Sequence, residues 1–131
     1  GMAMIFVTHD LGVVADLCDR VAVMYAGEVV EQATVHELFG SPKHPYTRAL
    51  IEAIPQAAGK GGRLPSIPGV VPVPSRWPVG CRFADRCGFA TEACTAAAVP
   101  LVPVGDRSVR CVRHAELAPS SGTSAIQEPA R

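Results

Sequence analysis

The chain opens with an unbroken apolar run, Ala3 to Val7, followed by the polar trio Thr8-His9-Asp10. A short apolar run that stops abruptly reads as a buried strand, with polar groups emerging at its C-terminal edge. Asp10 is suited to cap a helix that carries Leu11, Val14, Leu17 and Cys18 at helical spacing. Val21 to Tyr25 and Glu28 to Gln32 flank Ala26-Gly27, which predicts a β-hairpin across a two-residue turn. Thr34-Val35-His36-Glu37 has the form of a capping box, and Gly40 supplies the stop of a short helix. Pro45 suits the first turn of a further helix, in which Tyr46, Ala49, Leu50, Ala53 and Ile54 follow the spacing of a packed face until Pro55 ends it.

Beyond that helix the pattern changes. Ala57 to Arg63 is a small, Gly-rich linker. Pro65, Pro68, Pro72, Pro74 and Pro78 then exclude a helix and disfavour central strands. A cluster of cysteines follows, and Val99 to Val104 and Ser108 to Val112 are short extended candidates around a Gly105-Asp106 turn. From Ala118 onward Pro, Ser, Gly and Thr dominate, which predicts a disordered tail. The organisation expected is therefore a first unit over 1–56, a linker over 57–64, a Cys-rich extension over 65–116 and a tail over 117–131.

Charge and composition narrow the function classes. Lys+Arg and Asp+Glu both total 12, so the main electrostatic reason to expect a nucleic-acid partner is absent. Hydrophobic residues make up 48% of the 131, enough for a core. Charges interrupt every apolar stretch well before the roughly 20 residues that a membrane-spanning helix needs. No basic region precedes the opening apolar run, so no signal peptide is expected, and Gly1 reads as a residue appended to a start at Met2. The expected compartment is then a reducing cytosol, where clustered cysteines favour metal over disulfides.

Five cysteines are present, and four of them, Cys81, Cys87, Cys94 and Cys111, fall within 31 consecutive positions. Their spacing is C-x5-C-x6-C-x16-C. Four thiolates converging on one point suit an iron–sulfur cluster or a tetrahedral zinc, but the spacing matches neither a C-x2-C zinc pair nor a ferredoxin pattern. Two disulfides, or free thiols in a packed extension, are the alternatives. Cys87 and Cys94 would share one face if Gly88 to Ala93 were helical. His114, three residues beyond Cys111 in a C-x2-H arrangement, is a substitute ligand or a surface residue. Arg82, Arg86 and Arg110 surround the cysteines in sequence and would offset a cluster's negative charge, or else lie exposed. Cys18 is expected in the core, His36 and His44 near helix starts as capping or surface residues, and Trp77 as packing for the extension. His9, judged by position alone, is a hydrogen-bonded histidine at a strand–helix corner.

The residues around His9 add to that reading. Phe6 to Ala15 and Cys18 to Glu28 closely resemble the switch-histidine region of ATP-binding-cassette ATPases. Glu37-Leu38-Phe39, Ser41-Pro42, His44-Pro45-Tyr46-Thr47 and Ala53-Ile54-Pro55 resemble the dipeptide/oligopeptide importer branch of that family. Ile67-Pro68-Gly69-Val70-Val71-Pro72 and Gly80-Cys81-Arg82-Phe83-Ala84-Asp85-Arg86-Cys87 resemble the same branch's C-terminal extension. The resemblance runs from about Met4 to His114.

It implies an α/β fragment, the C-terminal part of such an ATPase, built of strand, helix, β-hairpin and two helices with a small irregular Pro/Cys-rich extension. It also implies that His9 hydrogen-bonds the γ-phosphate of ATP, while Mg²⁺ and a lysine supply the main charge neutralisation. A 4Fe–4S cluster on Cys81, Cys87, Cys94 and Cys111 is implied too, with zinc as the alternative. The partners implied are a second ATPase subunit and the transmembrane permease subunits, at the cytoplasmic face of the plasma membrane. No G-x-x-x-x-G-K-[ST] loop occurs, since the one Gly-Lys, Gly59-Lys60, precedes Gly61 and lacks the upstream glycine. No Walker B acid or signature motif is found either, so the chain alone is not expected to bind ATP. A freestanding iron–sulfur or zinc module with a redox-sensing or partner-binding role is the competing function. An opening strand without neighbours, or the hairpin, is expected to pair with a second copy of the chain.

Overall fold

A computed structural model describes residues 1–55 and 66–117; the linker expected over 57–64, and all but the first residue of the tail expected over 117–131, lie outside the described residues. In chain order the elements are α1 (Leu11–Leu17), β1 (Arg20–Tyr25), β2 (Glu28–Thr34), α2 (Val35–Gly40) and α3 (Pro45–Glu52). They continue with 3-10 turns at Pro74–Arg76 and Ala84–Arg86, then α4 (Glu92–Ala96), β3 (Val102–Val104) and β4 (Arg107–Val109). The four strands form one antiparallel sheet in the order β1-β2-β4-β3.

The local chemistry explains the first half. Asp10 accepts the Gly12 and Val13 amides at the start of α1. The hairpin closes through Ala26 (φ 47°) and Gly27 (φ 83°), two positive angles in succession, which is the geometry whose twist suits paired strands. Thr34 and Glu37 exchange the reciprocal bonds of a capping box at α2. Pro45 occupies the first turn of α3, and the His44 imidazole accepts the Tyr46 amide as its cap.

Two expectations are corrected. Ala3 to Val7 forms no strand: Ile5 is 92% and Val7 98% exposed. An apolar strand of this kind needs neighbours to pair its amides and cover its side chains, and the sheet built by β1 to β4 does not take it in. The face that α1 was expected to bury is only partly covered: Val14 is buried, Leu11 and Cys18 are half-buried, and Leu17 is 63% exposed. The second correction concerns Gly88 to Ala93, which is not a helix; the helical turn starts at Glu92 and carries Cys94 instead. The repeated small residues there provide no apolar face for a longer helix to bury.

The extension completes the hairpin's fold. β4 pairs with β2 at Glu31↔Val109 and Gln32↔Ser108. Phe83, 1% exposed, enters the core formed by Val23, Tyr25, Val30, Ala33 and Leu38. Its ring lies 5.2 Å from Tyr25, edge-on, and 5.3 Å from Tyr46, within the range of favourable aromatic pairs. Trp77 packs as expected, with its ring against Gly27 of the hairpin turn and the Arg82 guanidinium 3.6 Å above it.

Candidate functional site: a cavity lined by four cysteines

Cys81, Cys87, Cys94 and Cys111 come from four separate places in the fold, yet they line one small cavity that is partly open to solvent. Cys81 precedes the 3-10 turn that Cys87 closes, Cys94 sits in α4, and Cys111 follows β4. The rest of the wall is largely apolar: Pro45, Phe83, Phe89, Val112 and Leu117, with His44 and Arg113 as its polar members. Backbone contacts hold the pieces in place. The Cys81 amide donates to the Cys94 carbonyl (2.7 Å), and Gly80 leaves the room for this approach. A Cβ there would overlap the Cys94 carbonyl oxygen and lie 2.7 Å from Thr95 Cα.

The electrostatics of three of the thiols, Cys81, Cys87 and Cys111, are unusual. All are free, and none is fully exposed. Burial pushes the Cys81 thiol up, Cys87 to about 11 and Cys111 to about 12. Neighbouring thiolates add to the rise, while backbone amides of Phe83, Phe89 and Arg113 oppose it. The Phe89 amide donates to Cys87 Sγ and the Thr91 amide to Cys94 Sγ, each at 3.4 Å. The rise at Cys81, Cys87 and Cys111 favours their protonated forms, so binding a cation on these thiols would release protons.

The fit to a metal group follows from this donor set. Among the described residues, no group of three or more His, Cys, Asp or Glu is placed to hold a metal ion. A single tetrahedral zinc would draw all four sulfurs to within about 2.3 Å of one point. A four-iron cluster bonds each thiolate to a different iron, so its sulfurs stand further apart around a larger body. The four thiols are donors of the type that either group takes, with backbone amides aimed at two of the sulfurs.

The arginines expected to offset a cluster's charge are committed elsewhere. Arg82 donates to the Ala26 carbonyl, Arg86 to the Ile67 and Pro68 carbonyls and Tyr25 Oη, and Arg110 to the Val29 and Val99 carbonyls. These bonds staple the extension onto the hairpin. The arginine on the cavity wall is Arg113, which donates to the Phe89 carbonyl (2.6 Å) and pairs with Glu116. His114 is half-buried and bonds the Cys111 carbonyl (2.7 Å), and it does not line the cavity. Cys18 is half-buried at the end of α1, and His36 is exposed. His9 is exposed one residue before the Asp10 cap, away from the cavity wall.

His44 is the residue that sequence reasoning undervalued. It is 1% exposed, and burial pushes its imidazole down to about 3 against a weaker opposing contact with the Arg110 backbone. The segment before it is clamped by Glu31, fully buried, which accepts the Lys43 and His44 amides at 2.9 Å each. Arg107 closes the clamp 3.5 Å from Glu31 and donates to the Ser41 carbonyl. The acidic and basic partners lie far apart in sequence, so no local signal announces them.

A proline-rich segment stapled to a hairpin, with four thiols lining one cavity, defines a small α/β unit with a four-stranded antiparallel sheet. Residues 30–94 match the family described as the C-terminal region of oligopeptide/dipeptide transporters. The chain belongs to that family. It is 48% identical, over 125 residues, to a Brucella ovis protein named for peptide import and ATP binding; the match covers 90% of this chain and 37% of that protein. A Sinorhizobium fredii protein named as the ATP-binding protein of a peptide ABC transporter is 58% identical over 95 residues, covering 72% of this chain and 28% of its own length. A Brucella melitensis peptide import ATP-binding protein is 46% identical over 110 residues, covering 84% and 33%. The chain thus spans about a third of the length of the curated relatives it matches.

Proposed function

We propose that the chain is the C-terminal portion of the ATP-hydrolysing subunit of a dipeptide/oligopeptide ABC importer, with no ATP-binding capacity of its own. The observation that carries the reading is the coincidence of two features in one stretch. The family match over residues 30–94 contains most of β2, then α2 and α3, and three of the four cavity cysteines. The names of the relatives supply the ATPase and the peptide cargo.

In this reading, His9 donates a hydrogen bond to the γ-phosphate when the rest of a nucleotide-binding domain surrounds it, and ATP and Mg²⁺ belong to that complete subunit. The Cys81, Cys87, Cys94 and Cys111 thiolates hold a 4Fe–4S cluster of structural role, with zinc as the alternative. A cluster there would stabilise a proline-rich segment that has little apolar area of its own. A second ATPase subunit and the permease subunits are the partners, at the cytoplasmic face of the membrane. No helix of the described residues is long and apolar enough to cross a membrane itself.

Calorimetric titration of the chain with ATP and Mg²⁺ tests the assignment. The expected trace shows no binding, because a lone histidine cannot replace the amide cradle and lysine of a phosphate loop. Tight, Mg²⁺-dependent binding would overturn the reading.

A further inference from the structure

The wall of the cysteine cavity comes from two parts of the chain. Cys81, Cys87 and Cys94 stand on the segment that ends in α4, while Cys111, Val112, Arg113 and Leu117 belong to the last described turn. That turn is anchored at one end. The Arg110 amide donates to the Val30 carbonyl (2.8 Å), and its guanidinium donates to the Val29 and Val99 carbonyls. Beyond Arg110 the backbone bonds lie within the turn. The His114 amide donates to the Cys111 carbonyl, and the Glu116 and Leu117 amides both donate to the Arg113 carbonyl. A turn that pairs its own amides can swing as one piece without leaving them unpaired.

The far end is tied down by a side chain. Arg113 Nη1 donates to the Phe89 carbonyl at 2.6 Å, and Glu116, 2.9 Å from Nε, holds the guanidinium in place. Phe89 also donates its amide to Cys87 Sγ at 3.4 Å, so the latch grips a residue that contacts a cavity thiol. Little apolar area adds to the hold, since Val112 is 43% exposed and Leu117 only half-buried. Segments held by few buried contacts open locally, well before the fold as a whole.

We propose that residues 112–117 form a hinged lid on the cysteine cavity, latched by Arg113 on the Phe89 carbonyl, whose lifting admits small thiol-reactive molecules to Cys81, Cys87 and Cys94. The lid governs access alone and is independent of any group that the thiols hold.

The test alkylates the full, reduced chain with iodoacetamide, a neutral reagent that leaves a carbamidomethyl group on sulfur and releases iodide. Peptide-resolved mass spectrometry follows each thiol, with Cys18, which does not line the cavity, as the internal reference. Arg113→Gln draws the side chain back from the Phe89 carbonyl. Cys87 and Cys94 should then react about tenfold faster relative to Cys18, the scale set by losing one charge-assisted hydrogen bond. Arg113→Lys, which keeps the cation and a donor on a long stem, should show a smaller rise. The sign separates access from electrostatics: the Arg113 charge favours the Cys87 thiolate, so its removal alone would slow the reaction.

An unchanged or lower rate in Arg113→Gln would overturn the lid. So would an equal rise in both variants, which would leave the latch without a role. Amide hydrogen exchange distinguishes a lifted lid from a lost fold, and in β1, β2 and β4 it should match the wild type. Exchange that rises through those strands would overturn the proposal, because the thiols would then be reached by general unfolding.

Discussion

Gly80 shows how much of the site depends on one missing side chain. The residue is buried where the Cys81 amide meets the Cys94 carbonyl, and a methyl group there has backbone on its far side rather than a movable side chain. Gly80→Ala should therefore push Cys94 away from Cys81. Overpacking of this kind costs about 1–3 kcal/mol, which chemical denaturation of the metal-free chain would read as a lower midpoint at unchanged slope. An unchanged midpoint would show that the backbone yields freely. Nothing in the local sequence marks Gly80 as special, since its constraint comes from a strand of chain fourteen positions away. The four cysteines, by contrast, were legible from composition and clustering alone, because few side chains share their chemistry.

At the scale of single elements, local signals were the dependable ones. The α2 capping box, the Pro45 start of α3 and the two-residue hairpin turn all rest on bonds between residues within four positions of one another. Glu37 makes this testable by pH. Hydrogen bonds from Thr34, side chain first and backbone second, hold its carboxyl below the ordinary value of 4.5, with desolvation opposing. A folded value below the unfolded one adds stability that is present above the unfolded value and is lost as the pH falls through the folded one. Glu37→Gln should thus lower the melting temperature at neutral pH and make little difference in strong acid. A gap that persists undiminished in acid would place the contribution of Glu37 outside its charge. Ala3 to Val7 is the contrary case: its apolar pattern was plain, but a strand is completed only by neighbours.

On the scale of the whole molecule, hairpin and extension form a single sheet and a shared core, so the site is a product of both. β1 remains an open edge of that sheet, and Met2, Ile5, Val7 and Leu17 are exposed. Unpaired strand edges and bare apolar side chains associate readily. The isolated chain should accordingly self-associate, and light scattering across a dilution series should show a mass that rises with concentration. A monomeric mass at every concentration would mean that these surfaces are individually too small to bind.

What the sequence by itself determined are the properties carried by neighbouring residues or by rare chemistry: the helix caps, the hairpin turn, the break at the prolines, and the four thiols. Backbone bonds over three or four positions and the identity of a sulfur ligand require no knowledge of distant chain. Only the tertiary structure decided that Cys81, Cys87, Cys94 and Cys111 line one cavity, that Arg82, Arg86 and Arg110 serve as staples, and that His44 is buried. The reason is physical: each of those facts depends on pairing across tens of residues, as between Glu31 and Arg107, and periodicity carries no record of which distant partner a residue meets.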